Sequence, residues 1–221
     1  MRLGTFLSLA CLVPTVVFAG SDLDSIVERL QKSYDSTRTI EAKFDQTYRS
    51  LRFDEKKTRG EVALSKPGKM RWDYSVPKGR IIVSNGKRIT LYDPEDRQAL
   101  IADQPAEGGL PVSVSFLLGR GKLKDSFKIS FKKGRASKEG EVVLECVPIH
   151  PESNIIEIDL AVRTEEPVRV VGTKIIDSLG GENEIRFSDL RFNQEIASSR
   201  FEFKPPKGTP LVTMPEISNK M

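Results

Sequence analysis

The chain has 221 residues, and its 35 Lys and Arg against 31 Asp and Glu leave a net charge of +4 spread through a mixed sequence. That balance excludes a dedicated nucleic-acid binder, which needs its basic residues gathered on one face. The one dense cluster, Lys132-Lys133-Gly134-Arg135, reads instead as a solvated hairpin tip.

Residues 1–19 read as a secretory signal peptide. Arg2 gives a positive start, an apolar run follows, and Val17-Phe18-Ala19 supplies the small residues of a cleavage site. The run is too short to span a bilayer. Cys11 after Leu9-Ala10 suggests a lipoprotein signal as the rival, but Ser8 stands where an aliphatic residue is wanted and the apolar run continues past the cysteine. Residues 20–221 are long enough for a single domain with its own core. Cleavage leaves Cys146 alone, so no internal disulfide forms in spite of export, and Cys146 in EVVLECVPI reads as a buried thiol.

Ser21 and Asp24 resemble a capping box, and Leu23, Ile26, Val27, Leu30 and Tyr34 follow at helical spacing. From Thr39 the period changes to two, with Ile40, Ala42, Phe44, Gln46 and Tyr48 on one face of a strand. Glu61–Ser65 and Lys69–Tyr74 join through Pro67-Gly68, and Arg80–Ser84 and Arg88–Tyr92 join through Asn85-Gly86, a strong hairpin signal. Gln98–Ala102 follows the turn at Asp93-Pro94. After DQPAEGGLP, Val112–Leu118 reads as a second helix ending at Gly119. Strands resume at Ser126–Phe131, Glu141–Pro148, Ile155–Arg163, Val168–Asp177, Glu182–Phe192 and Arg200–Phe203.

An antiparallel sheet of about eleven strands does not stay flat, and twist curls it into a barrel or half-barrel. The fold expected is mainly β with some α: a barrel or half-barrel whose mouth is covered by the two helical segments. Catalytic signals are poor. His150 is the only histidine, no G-x-S-x-G elbow occurs, and no Cys or His spacing suits zinc. Gly119-Arg120-Gly121-Lys122 lacks phosphate-loop spacing, and Glu165-Glu166 falls in a turn without an evident partner. Neither an enzyme nor a cofactor nor a metal site is expected. What stands out is a stripe: Met70, Trp72 and Tyr74 share one face of Lys69–Tyr74, while Lys69, Arg71 and Asp73 share the other. Taken alone it is core, but on the inner wall of a half-barrel core can also line a cavity.

These features, taken in order, resemble the LolA family of periplasmic lipoprotein carriers. The likeness covers the first helix, Phe44-Asp45-Gln46, GEVALSKPGKMRWDY, RIIVSNGKRITLYDP, the apolar Val112–Arg120 element and the closing FEFKPPKGTPLV. The resemblance implies an incomplete β-barrel with a helical lid over a hydrophobic cavity for acyl chains. Met70, Trp72, Tyr74 and Ile82, with Leu30, Phe116 and Leu117 from the helical segments, are the expected lining. It also implies a monomer in the periplasm that takes acylated lipoproteins from an inner-membrane ABC release complex and passes them to an outer-membrane receptor. Lys66 stands where the family has an arginine that holds the lid closed, which makes it the latch candidate. Its point charge replaces a planar fork, so a weaker latch is expected. Two other readings share the fold: the lipid-anchored receptor of the same pathway, and a periplasmic regulator with a LolA-like binding domain.

Overall fold

A computed structural model describes residues 23–103, 122–133, 138–150 and 154–213 of the chain. The leader, the segment 112–118 with Phe116 and Leu117, and Gly134-Arg135 lie outside the described residues. Helix α1 (Leu23–Asp35) forms where the spacing predicts it. Ile26, Val27, Leu30 and Tyr34 make one buried stripe, and Asp24 in the first turn and Lys32 in the last suit the peptide dipole.

The strands follow as β1 (Thr39–Arg49), β2 (Lys56–Ser65), β3 (Lys69–Val76), β4 (Ile81–Asn85), β5 (Arg88–Asp93) and β6 (Gln98–Asp103). A one-turn helix α2 (Leu123–Ser126) leads into β7 (Phe127–Phe131), β8 (Glu141–Pro148), β9 (Ile155–Arg163), β10 (Arg169–Asp177) and β11 (Glu182–Phe192). A 3-10 turn at Ser198–Phe201 and the short β12 (Leu211–Thr213) end the described chain. All twelve strands belong to one sheet, ordered β12-β6-β5-β4-β3-β2-β1-β11-β10-β9-β8-β7. Its edges β7 and β12 do not meet, so the sheet is unclosed, with one strand more than the roughly eleven expected.

Alternation gives the sheet two unlike faces. Inward go Ile40, Ala42 and Phe44 of β1, Val62 and Leu64 of β2, and Met70, Trp72 and Tyr74 of β3, all buried in one cluster with the α1 stripe. The convex face is polar over β7–β11. There Glu141 is buried beneath Arg163 at 3.3 Å and Arg186 at 2.9 Å. Lys132, expected as part of a free hairpin tip, is instead drawn between Glu145 and Glu157, each at 2.6 Å. Those carboxylates raise its pKa further above the ordinary lysine value.

Over β2–β6 the convex face is covered by the chain itself. After β11 the backbone crosses this face to the far edge, where Ala99 donates to the Pro210 carbonyl at 3.0 Å and β12 pairs parallel with β6. Arg200–Phe203, expected as a strand, lies in this strap. Its carbonyls at Arg200 and Glu202 accept from the Arg71 guanidinium at 3.2 and 3.4 Å, doing what a neighbouring strand would have done. Phe201 is fully buried there, and outward-facing Ala63 and Val83 are buried on the same side. β2 is longer than expected because β1 continues as its partner, pairing Tyr48 with Lys56 in spite of the polar Lys56–Gly60 run.

Gly60 marks a close approach of β2 to β3. A Cβ there would lie 2.0 Å from the Asp73 carbonyl oxygen, at the point where the β2–β3 register shifts. Gly60→Ala is therefore expected to destabilise the protein by about 2–3 kcal/mol, read from the urea midpoint with an unchanged slope.

Candidate functional site

The site grows from the inward face of the central strands. On β3, period-two alternation brings Met70, Trp72 and Tyr74 to the concave side, each no more than 8% exposed. Across the ladder Trp72 faces Val62 on β2 and Ile82 on β4. Phe44 on β1 meets Trp72 edge-on, with ring centroids 4.9 Å apart, and Tyr74 in the same manner at 5.1 Å. Phe187 of β11 completes the wall, 6.4 Å from Trp72. Trp72, Tyr74, Met70, Ile82 and Leu30 are thus brought to one apolar cluster. Phe44 and Phe187 belong to it too. The alternation on their strands put Phe44 on the inward face, yet nothing local marked either as part of a site.

A polar rung closes the wall at the end away from α1. Gln46 Oε1 accepts from Thr58 at 3.0 Å and from the Tyr74 hydroxyl at 3.3 Å, while its amide nitrogen donates to Asn183 at 2.8 Å. Toward the other end the trough is filled by α1. Ile26, Val27, Leu30 and Tyr34 occupy it, leaving an apolar crevice of about 20 Å³ between Tyr34, Ile40, Trp72, Val170 and Phe187. That is space for about one water-sized group and far short of an acyl chain.

Helix α1 is held down by polar contacts at its margins. Arg29 donates to Glu166 and to the Thr164 carbonyl, both at 2.7 Å, so Glu166 does have a partner. The Leu123 amide donates to Gln31 at 3.0 Å, and Lys124 pairs with Asp24 at 2.8 Å and Glu28 at 3.2 Å. At the last turn, the Lys66 ammonium donates to the main-chain carbonyl of Tyr34. Burial draws the Lys66 pKa below its ordinary value, and Asp35 opposes this in part. Tyr34 itself is sealed in the core. Its phenolic oxygen accepts from the Val170 amide at 3.3 Å, where β10 bulges against β9. No sequence signal marks this contact, because the bulge is a property of the pairing.

The remaining candidates do not join the site. His150 is exposed after β8. Cys146 is a buried free thiol whose pKa burial pushes up to about 12, with Asp159 and Glu145 adding to the shift. Among the described residues no group of three His, Cys, Asp or Glu could hold a metal ion, and no helix is long and apolar enough to cross a membrane.

Tyr34→Phe keeps the ring but leaves the buried Val170 amide without this acceptor. The expected cost is about 1–2 kcal/mol, with faster hydrogen exchange at Val170. Burial also raises the pKa values of Tyr34 and Tyr74 above the ordinary 10.0 and that of Cys146 above 9.0. Each group stays neutral in the fold at a pH where the unfolded chain ionises. Their stabilisation is complete below about pH 8 and is lost as the pH climbs through about 9–10 and beyond, which urea unfolding from pH 7 to 11 should record.

The chain has relatives along most of its length. An outer-membrane lipoprotein carrier protein from Dechloromonas aromatica is 28% identical over 210 residues, 93% of this chain and 95% of its own. One from Bordetella pertussis is 30% identical over 157 residues, 70% of each chain. The fold alone is shared with an uncharacterized conserved protein from Thermus thermophilus, at 11% identity and a TM-score of 0.53 over 86% of this chain and 98% of that one. The family described as outer membrane lipoprotein carrier protein LolA matches residues 35–204, and the chain belongs to it.

Proposed function

We propose that this protein is a periplasmic carrier that holds the acyl chains of lipoproteins against the concave wall and passes them to the outer membrane. The observation that carries the reading is the trough itself. Its wall is apolar from Met70 to Phe187, and among the described residues the α1 stripe lies in it. The carrier names of relatives that match over most of the chain support the same cargo. No bond is made or broken in this function, so the absence of catalytic signals costs it nothing.

The physics is a competition for one space. Exposing a dozen methylenes to water costs on the order of 10 kcal/mol, and the wall removes that cost when the chains lie against it. Cargo enters only when α1 lifts, so the stability of the closed state is subtracted from the affinity. Lys66 then acts as a latch through its bond to the last turn of α1. One ammonium reaching one carbonyl makes a light latch, suited to a carrier that must also release. Arg29 and Lys124 hold the same helix at other points and share the work. An ABC release complex of the inner membrane supplies the lipoprotein, and an outer-membrane receptor accepts it. The leader, cleaved after Ala19, directs residues 20–221 to the periplasm as one domain.

The purified protein is expected to form a soluble one-to-one complex with an acylated lipoprotein and none with its unacylated form. Equal binding of both forms would sink the reading. Trp72 is the only tryptophan, so its emission should shift as acyl chains replace Leu30 and Tyr34 beside it. Lys66→Met should speed hydrogen exchange of the α1 amides, and Lys66→Arg should restore or slow it.

A further inference from the structure

The hairpins β3–β4, β1–β2, β10–β11 and β8–β9 turn at one end of the sheet, the end opposite Lys66, and stand side by side in the strand order. The described residues at their tips are unusually apolar. Leu51 is 88% exposed, Leu179 71%, Phe53 68% and Ile156 53%, and Val76 and Ile149 are exposed beside them. The tips adjoin one another. A side chain added at Gly180 would lie 3.4 Å from Leu51, and the Ser178 amide donates to the Asn154 carbonyl at 2.8 Å. Exposed large hydrophobics elsewhere among the described residues are only Phe131 near the opposite end of β7, Leu211 and Val212 on the edge strand, and Val147 just below the tips. Such a concentration marks a contact surface.

Charge says what the surface meets. The β1–β2 connection carries Arg49, Arg52, Lys56 and Lys57 against Asp54 and Glu55. Glu55 is held by Arg49 at 2.7 Å and Lys57 at 3.0 Å, Glu182 by Lys174 at 2.7 Å, and Asp177 turns inward to accept from the Leu179 and Gly181 amides. Arg52, Lys56 and, on the next hairpin, Lys78 make no salt bridge among the described residues, and Asp54 is the one acid of the loop left to oppose them. The acidic Glu95 and Asp96 stand one hairpin farther on, in the turn between β5 and β6. Separate protruding tips offer no groove for a rigid partner. Apolar points ringed by free cations suit a deformable anionic layer.

We propose that this end of the sheet docks on an anionic lipid bilayer, with Leu51, Phe53 and Leu179 entering the acyl boundary and Arg52, Lys56 and Lys78 resting at the headgroups. Docked this way, the polar-rung end of the trough faces the membrane while Lys66 and the last turn of α1 face away. The proposal goes beyond cargo binding and is tested without cargo.

The protein is floated with vesicles of phosphatidylglycerol and phosphatidylcholine, and with phosphatidylcholine alone. Binding is expected to the anionic vesicles, weakening as salt rises. Leu51→Ser/Phe53→Ser/Leu179→Ser should lower it about tenfold or more, since bound apolar area sets the affinity. The three positions are exposed, so thermal unfolding of this variant should match the parent. In a second variant, Phe53→Trp emission should move to the blue on anionic vesicles. Absent binding, equal binding to both vesicle types, or undiminished binding by the triple variant overturns the proposal. So does a self-associated species that the triple variant disperses, which would give the surface to a second copy. No lipoprotein enters the assay, so its failure and a failure of acyl-chain binding are read separately.

Discussion

A long twisted sheet that curls without closing has an inside, and that inside cannot be left wet and apolar. This constraint governs the molecule. Trp72, Tyr74, Phe44 and Phe187 form a wall whose burial depends on something lying against it, and among the described residues α1 lies against its Tyr34 end. In the proposed carrier the same atoms serve as the hydrophobic core of the resting protein and as the binding surface of the loaded one. On that proposal stability and affinity draw on one area of contact, so strengthening the helix's hold weakens the grip on cargo by the same amount.

The division of labour around α1 follows from this. Its apolar stripe lies in the core cluster and, in the proposed carrier, is what cargo replaces in kind. Its polar tethers, Arg29, Gln31, Lys66 and the salt bridges to Lys124, lie at the helix margins, where water can take over each bond as it breaks. Exposed ion pairs of this sort contribute little each and exchange easily. Only Tyr34 is committed to the interior, its phenol fixed on the β10 bulge. If α1 lifts as proposed, the Lys66 ammonium is the tether that leaves a partly buried site.

Much of this was legible in the chain. Period-two alternation in residues 39–49 and 69–74 and the Asn85-Gly86 turn gave the strands and the inward stripe, because half-buried antiparallel strands write their burial directly into the sequence. The helix stripe of residues 23–35 was equally plain. What escaped was produced by partners distant in the sequence. β12 has three residues and no alternation, and exists because β6 lacks a neighbour. Arg200–Phe203 looked like a strand until Arg71 took up its carbonyls. Lys132 looked like a free loop charge, and Glu166 like a turn residue without a partner, until strand packing and α1 supplied their counter-ions. The helical segment that holds Phe116 and Leu117 lies outside the described residues.

The parallel pair of β12 with β6 joins residues 211–213 to residues 99–101. A contact of that separation is among the slowest kinds to form, and it cannot begin before residue 213 is free to reach back. Until then β6 is an open edge, and Ala63 and Val83 lie bare on the convex side. The strap thus ties cover of the β6 edge to the arrival of β12. A chain exported unfolded would make this pair only after residue 213 had cleared the translocation pore.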